Sequence, residues 1–306
     1  MPEAESTPES DPGTFALDRV LPPEDTAVGY LLRLSRPRFW LYLAGPVVVG
    51  VAYAASSVAE LFAPLALALF GYFLLPANVY LYGVNDVFDA DVDAENPKKE
   101  GREVRYEGSR LVVGAVVVSG LLGLAFLPFL PLAAVGALAV FGFLATEYSA
   151  PPLRFKTTPF LDSVSNGLYI LPGVAAYTAL AGQLPPLGAI VGGWLWTMGM
   201  HTFSAIPDIE PDREAGIETT ATYLGQFNTF LYCAMMWLLA AVAFVYVHPF
   251  FAVVLMLYPL LVFGITYARV DVDEAYWWYP VINTLAGMVI TMGGLYVLVY
   301  GNPFVG

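Results

Sequence analysis

The stretch LFAPLALALFGYFLLPANVYLYGVNDVFDADVD, residues 61–93, begins as an uncharged apolar run and ends in four aspartates. About 20 apolar residues carry a helix across the ~30 Å hydrocarbon core of a bilayer, so residues 61–83 read as one membrane span. No proline or Asn-Gly stop follows before Asn96-Pro97, and the helix is expected to continue past Gly83. At about 100° per residue, with Asn85 as zero, Asp86 falls near 100°, Asp89 near 40° and Asp93 near 80°. These four oxygen-bearing side chains share one face, while Asp91, near 240°, points to solvent.

Working outward, the rest of the chain repeats the apolar pattern. Of its 306 residues 58% are hydrophobic and 13% charged, and the mean hydropathy of +0.65 excludes an ordinary water-soluble globule. The expected fold is all-α and integral to the membrane, with nine transmembrane helices around a central cavity. The spans fall roughly at residues 39–57, 61–83, 111–129, 131–147, 163–182, 186–206, 223–246, 249–268 and 279–300. Their continuous apolarity, without alternation, argues against a β-barrel.

Charge placement orients the bundle. With the N-terminus cytoplasmic, the cytoplasmic segments hold Arg19, Arg33, Arg36, Arg38, Lys98, Lys99, Arg102, Arg105, Arg110, Arg154, Lys156, Arg213 and Arg269, which are all 13 Lys and Arg of the chain. The C-terminus then lies outside. A net charge of -13 speaks against nucleic acid as a partner. Only three of the bases are lysines, and a low-Lys, acidic surface suits a high-salt cytoplasm, an expectation that equal stability in dilute and molar KCl would sink. Cys233, the single cysteine, is expected as an apolar filler. Residues 1–29 read as a disordered acidic tail ahead of a membrane domain at 30–306. The tail lacks the basic start and apolar centre of a cleavable signal, so the first span is expected to direct insertion.

Clustered hard oxygen ligands suit Mg²⁺, which keeps several waters and joins carboxylates to substrate phosphates. Without a cation, carboxylates this close repel one another. A second cluster, SAIPDIEPDREAGIETT at 204–220, places Asp208 and Asp212 four residues apart, the spacing of Asp89 and Asp93. Both clusters follow apolar spans at cytoplasmic ends, which suggests a repeated four-helix unit with two acidic tips across a cavity. Two opposed carboxylate sets holding Mg²⁺ can grip a diphosphate. The loop EYSAPPLRFKTTPFLD, 147–162, offers Arg154 and Lys156, whose side chains point the same way if the backbone is extended. They can reach diphosphate oxygens, as can the Tyr148 hydroxyl, although topology signals and an interfacial aromatic explain the three about equally well.

Three motifs then make a resemblance specific. NDVFDADVD (85–93) is similar to the NDxxDxxxD signature of the UbiA-type intramembrane prenyltransferases, PDIEPDREAG (207–216) to their second acidic motif, and YSAPPLRFK (148–156) to their YSxPPxRxK loop. The resemblance implies a nine-helix bundle whose cavity opens sideways to lipid. It implies that Asn85, Asp86, Asp89, Asp93, Asp208 and Asp212 hold Mg²⁺ against an allylic diphosphate, with Lys156 and Arg154 on the phosphate oxygens. The family often follows its first motif with Arg-Pro-Leu; NPKKEGREVR stands here instead, and Arg102 is one of four bases there that could assist the diphosphate.

Within the family, LSRPRFWLYLAGPVVVGVAYA (34–54) together with NPKKEGREVR most resembles lycopene elongases of haloarchaeal type. That implies a five-carbon allylic donor, lycopene ends as acceptor, membrane lipid and carotenoid-pathway enzymes as partners, and an active site on the cytoplasmic side of the cell membrane. Physics adds that an anionic acceptor needs a base in the cavity, yet the spans carry Lys and Arg only at their cytoplasmic ends. Arg36 and Arg38 are the exception. A prenyltransferase for an archaeal glycerol lipid or quinone precursor is the competing reading. A divalent-cation transporter is the rival from another class, which should place acids near the bilayer centre. Asn78, two turns before the metal motif, reads equally as a residue that orients the substrate or as a packing amide; Asn166 and Asn283 are expected as packing amides, and His201 as a hydrogen-bonded interhelical histidine with proton acceptor as the sharper alternative. Glu147 and Asp162, at span ends, are expected to be solvated, and His248 to sit in an outer turn.

Overall fold

The computed structural model describes residues 21–23, 25–93 and 108–301, apart from the side chains of residues 90–93, 273 and 277. Every regular element among the described residues is helical. In chain order these are α1 (Ala27–Leu34), α2 (Trp40–Ala54), α3 (Pro64–Leu74), α4 (Pro76–Asp93), α5 (Arg110–Leu124), α6 (Leu132–Glu147), α7 (Leu161–Ser165), α8 (Leu171–Ala181), α9 (Leu187–Ser204), α10 (Ile209–Glu214), α11 (Thr220–Val245), α12 (Pro249–Leu255), α13 (Leu257–Ala268) and α14 (Val272–Tyr300). Thr26 caps α1 by accepting from the Gly29 N–H at 3.0 Å. That helix begins inside the stretch expected as tail. Residues 1–20 and 24 lie outside the described residues.

Five helical segments are long and apolar enough to cross a membrane by length and composition: Pro64–Asp89, Arg110–Phe129, Thr220–Val245, Pro249–Ala268 and Glu274–Tyr300. α6 is a shorter apolar helix. The first of these segments is broken at Leu75, because Pro76 lacks an N–H and its ring clashes with a preceding carbonyl. Asn78 repairs the break, its Nδ2 donating to the Phe73 and Leu74 carbonyls at 2.9 and 3.0 Å. Helix α4 runs on to Asp93 as the sequence suggested, because no further proline interrupts it.

Two large buried clusters and two small ones form among the described residues. One large cluster gathers Leu43, Val47, Leu69, Phe73, Phe141 and Leu168, from α2 to the turn before α8. The other gathers Phe203, Trp237, Tyr258, Val262 and Tyr279, from α9 to α14. α2 packs closely on α8, where a Cβ on Gly50 would lie 2.3 Å from the Gly173 carbonyl oxygen, so only glycine permits that approach. α2 also runs parallel to α14 and is tied to it at three depths. Arg38 Nη2 donates to the Tyr276 carbonyl at 3.4 Å, Asn283 Nδ2 to Tyr42 Oη at 3.1 Å, and Tyr53 Oη to the Ile290 carbonyl at 2.8 Å.

Candidate active site

α4 delivers the first acidic motif into the protein. Asp86 and Asp89 are each only 5% exposed, although they end an amphipathic turn of sequence. Buried carboxylates need partners, and three bases from two separate segments supply them. Arg36 Nη2 lies 3.4 Å from Asp86 Oδ1, with its guanidinium 4.6 Å above the Tyr82 ring. Arg154 Nη2 lies 3.2 Å from Asp89 Oδ1, and Lys156 Nζ pairs with Asp89 Oδ2. Ser149 Oγ donates to Asn85 Oδ1 at 2.7 Å, which fixes the amide.

The backbone route to this convergence differs from the extended one expected for Arg154 and Lys156. Arg154 is left-handed (φ 42°) and caps a 3₁₀ turn at Phe155–Thr157, and Lys156 N donates to the Tyr148 carbonyl at 3.0 Å. Arg36 is left-handed as well (φ 51°). A non-glycine residue there costs on the order of 1–2 kcal/mol, and both bases adopt it while reaching a buried carboxylate.

The second motif is placed differently. Asp208 is exposed at the N-cap of α10, and Asp212 N donates to its carbonyl at 2.8 Å, the i to i+4 relation expected from the spacing. Among the described residues no three His, Cys, Asp or Glu side chains gather closely enough to hold a metal ion between them. The structure brings Asn85, Asp86 and Asp89 together with the bases, while Asp208 and Asp212 stand at α10, beyond the end of α9. The side chain of Asp93 and all of Arg102 lie outside the described residues.

Asp162 overturns the expectation of a solvated side chain. It is 1% exposed. Its Oδ2 accepts from Thr220 N at 2.9 Å and its Oδ1 from Thr220 Oγ, while its own carbonyl accepts from Asn166 Nδ2 at 2.6 Å. The cause is the start of α11, whose unsatisfied N–H groups and positive dipole end take up a carboxylate. Glu147, in contrast, accepts from Leu153 N in an exposed bond. Tyr148 turns toward α9: its Oη lies 3.1 Å from His201 Nε2, with the rings edge-on at 5.7 Å. Burial pushes the Tyr148 phenol well above the usual tyrosine range, and the Asp162 charge adds to the effect.

Behind these groups lies a cavity of about 800 Å³. Arg36, Asn85, Lys156 and His201 line its polar end, and among the described residues no Asp or Glu lines it. Next comes an aromatic collar, in which Phe39 lies 5.2 Å from Tyr42 and 6.3 Å from Tyr82, and Tyr42 lies 6.1 Å from Tyr169. Tyr42, Asn283 and Tyr258 form a hydrogen-bonded trio in the wall, Tyr258 Oη donating to Asn283 Oδ1 at 2.8 Å. Beyond, the lining is apolar through Ile170, Ile190, Phe251 and Met292. Tyr42 and Tyr53 both line it 11 residues apart on α2, so the cavity extends at least about 16 Å along the helix. The sequence reading assigned no role to Arg36 beyond topology and an acceptor charge, and none to Ser149. The only signals for them were an arginine directly before a span and a hydroxyl inside the third motif.

Comparison with known proteins gives the family. The model of the UbiA prenyltransferase family matches residues 43–278. Lycopene elongase/hydratase of Haloarcula japonica is 64% identical over 289 residues, covering 94% of this chain and 98% of its own. The protein of the same name from Haloferax volcanii is 65% identical over 272 residues, or 89% of this chain and 90% of its own. The solved structure of a UbiA homolog from Archaeoglobus fulgidus bound to DMAPP and Mg²⁺ shares the fold, with a TM-score of 0.66 at 20% identity over 87% of this chain and 99% of that one. With a family model spanning most of its length and relatives of this identity, the chain is a multi-pass membrane enzyme and belongs to the UbiA prenyltransferase family.

Proposed function

We propose that this prenyltransferase moves a five-carbon allylic group from dimethylallyl diphosphate to the ends of lycopene with Mg²⁺, and that water then adds to the acceptor. The observation that carries the reading is the pair of buried carboxylates, Asp86 and Asp89, balanced by three bases, two of which, Arg36 and Lys156, line the polar end of the cavity. Two carboxylates and three bases leave one net positive charge. A diphosphate monoester carrying one divalent cation brings one net negative charge, so the ligand can take over the bases while the carboxylates turn to the metal.

The residues present fit Mg²⁺. A hydrated Mg²⁺ needs one or two carboxylates plus substrate phosphate, so Asp86 and Asp89 suffice without a third acid. The Asn85 amide oxygen has a second lone pair besides the one used by Ser149. Asp208 and Asp212, beyond the end of α9, supply a second carboxylate pair. When bound, the metal supplies electrostatic stabilisation of the departing diphosphate. Arg36, Arg154 and Lys156 donate to its oxygens. The allylic cation then rests against the collar of Phe39, Tyr42, Tyr82 and Tyr169, whose ring faces attract positive charge and form no ester.

The deep end suits a hydrocarbon. A glycerol phosphate or hydroxybenzoate would need a cation of its own, yet Arg36 and Lys156 are the only Lys and Arg among the described lining residues, and both serve the diphosphate. The relatives' names, lycopene elongase/hydratase, supply the acceptor and the water. On our reading the chain has nine spans with the N-terminus inside, the arrangement that gathers every Lys and Arg on one side, and the polar end of the cavity then faces the cytoplasm. The test is to incubate purified protein with lycopene, dimethylallyl diphosphate and Mg²⁺. Coupled product with 45 and 50 carbons is expected. No coupling to lycopene, alongside transfer to a glycerol phosphate or quinone precursor, would overturn the assignment.

A further inference from the structure

Adding water to the acceptor cation creates a chemical need that the proposed function leaves unmet. When the allylic C–O bond breaks, its electron pair leaves with the diphosphate. The acceptor's π pair forms the new C–C bond and leaves a tertiary cation, and a lone pair of water then forms the C–O bond. One O–H bond of that water must break, and its proton needs an acceptor. Hydrocarbon walls offer none, and the diphosphate is held at the polar end by its bases.

We infer that His201 is that acceptor, reached through the Tyr148 hydroxyl: the water proton passes to Tyr148 Oη as the Tyr148 proton passes to His201 Nε2. This rests on the proposed prenyl transfer. Three observations support it. Among the described lining residues His201 is the one imidazole, beside the Arg36 guanidinium and Lys156, whose Nζ is engaged with Asp89, and no carboxylate is among them. His201 Nε2 and Tyr148 Oη are 3.1 Å apart, within reach for proton transfer, and both residues line the cavity. Tyr148 is joined to the site through its carbonyl, which accepts from Lys156 N at 3.0 Å, so the pair sits beside the base that faces the diphosphate. Behind the pair stands Asp162, buried to 1% exposure and anchored by Thr220 N and Oγ, and its charge acts on both His201 and Tyr148. A positive imidazolium there is offset by a negative charge already in place.

The experiment measures coupled product and its hydroxylated fraction, with ¹⁸O-labelled water as the tracer, for the wild-type protein, His201→Gln and Tyr148→Phe. Loss of a positioned general base costs about 10²-fold or more in the step it serves. The hydroxylated fraction should therefore fall at least tenfold in both variants, with unsaturated product taking its place and total coupling falling less. If the wild-type protein couples and hydrates but His201→Gln keeps the wild-type hydroxylated fraction, the released diphosphate takes the proton and the inference is wrong. Equal loss of coupling and hydration would also overturn it, since that is the signature of a packing role. If His201→Gln fails to insert, the Tyr148→Phe ratio decides by the same two criteria. No coupling by the wild-type protein would instead refute the proposed function itself.

Discussion

Replacing Lys156 by Gln removes one of the two bases on Asp89 and leaves the other in place. In the ligand-free protein the change should be mild, because Arg154 Nη2 remains 3.2 Å from the same carboxylate and no buried charge is left without a partner. The cost should appear when diphosphate departs. A unit charge about 4 Å from a phosphate oxygen contributes about 4 kcal/mol at an effective dielectric of about 20. The share realised only as negative charge develops lowers kcat/KM by about 10²–10³, comparable to losing one donor of an oxyanion hole. Arg154 is a graded control. Its side chain is 37% exposed against 18% for Lys156, so solvent and salt screen it more. Arg154→Gln should cost about tenfold. The assay is diphosphate release at fixed lycopene with the allylic diphosphate varied, alongside thermal unfolding in detergent. An Arg154 loss equal to or larger than the Lys156 loss would refute the reasoning, as would a Lys156 effect confined to the KM for lycopene.

Three further outcomes follow from particular contacts. Gly50→Ala would place a Cβ 2.3 Å from the Gly173 carbonyl oxygen, so α2 and α8 must part, and thermal unfolding should show a loss of about 1–3 kcal/mol; Gly136→Ala on α6, with nothing within 4 Å, should be neutral or stabilising. Thr220→Val takes one donor from the buried Asp162 and also the acceptor of the Phe160 N–H at 2.7 Å, and should cost about 1–3 kcal/mol in the same measurement. Chelation of Mg²⁺ should abolish diphosphate release reversibly and leave the unfolding midpoint of the ligand-free protein nearly unchanged, because Arg36, Arg154 and Lys156 already neutralise Asp86 and Asp89. A large midpoint drop on chelation would mean that the carboxylates depend on metal for folding.

What could be read from the sequence was local. Asn85, Asp86 and Asp89 fall on one face because helix geometry fixes neighbours one, three and four residues apart, and α4 does run through them. Arg154 and Lys156 were expected to point the same way from an extended strand; both do meet one group, the Asp89 carboxylate, but a left-handed Arg154 and a 3₁₀ turn replace the strand. Asp162 was not legible at all. Its partner Thr220 is 58 residues away, and a carboxylate at the end of an apolar run looks the same whether it meets water or the start of another helix.

The cavity shows why the deep half of the site escapes a hydropathy reading. In water an apolar stripe on a helix marks the core, but in a bilayer the outer face is equally apolar, so the two faces of α2 carry the same kind of residue. Leu41 lines the cavity at 45% exposure and Val48 at 38%, and neither differs in type from a lipid-facing neighbour. Only polar atoms break the degeneracy, because an amide or phenol in hydrocarbon must find a partner. Asn283 is such a mark on α14, and its bonds to Tyr42 and Tyr258 show which way that helix faces. In the collar the Tyr82 and Tyr169 phenols meet each other and Phe39 carries no polar atom, so the collar's place beside the buried carboxylates follows only once α2, α4 and the 166–170 turn are packed together.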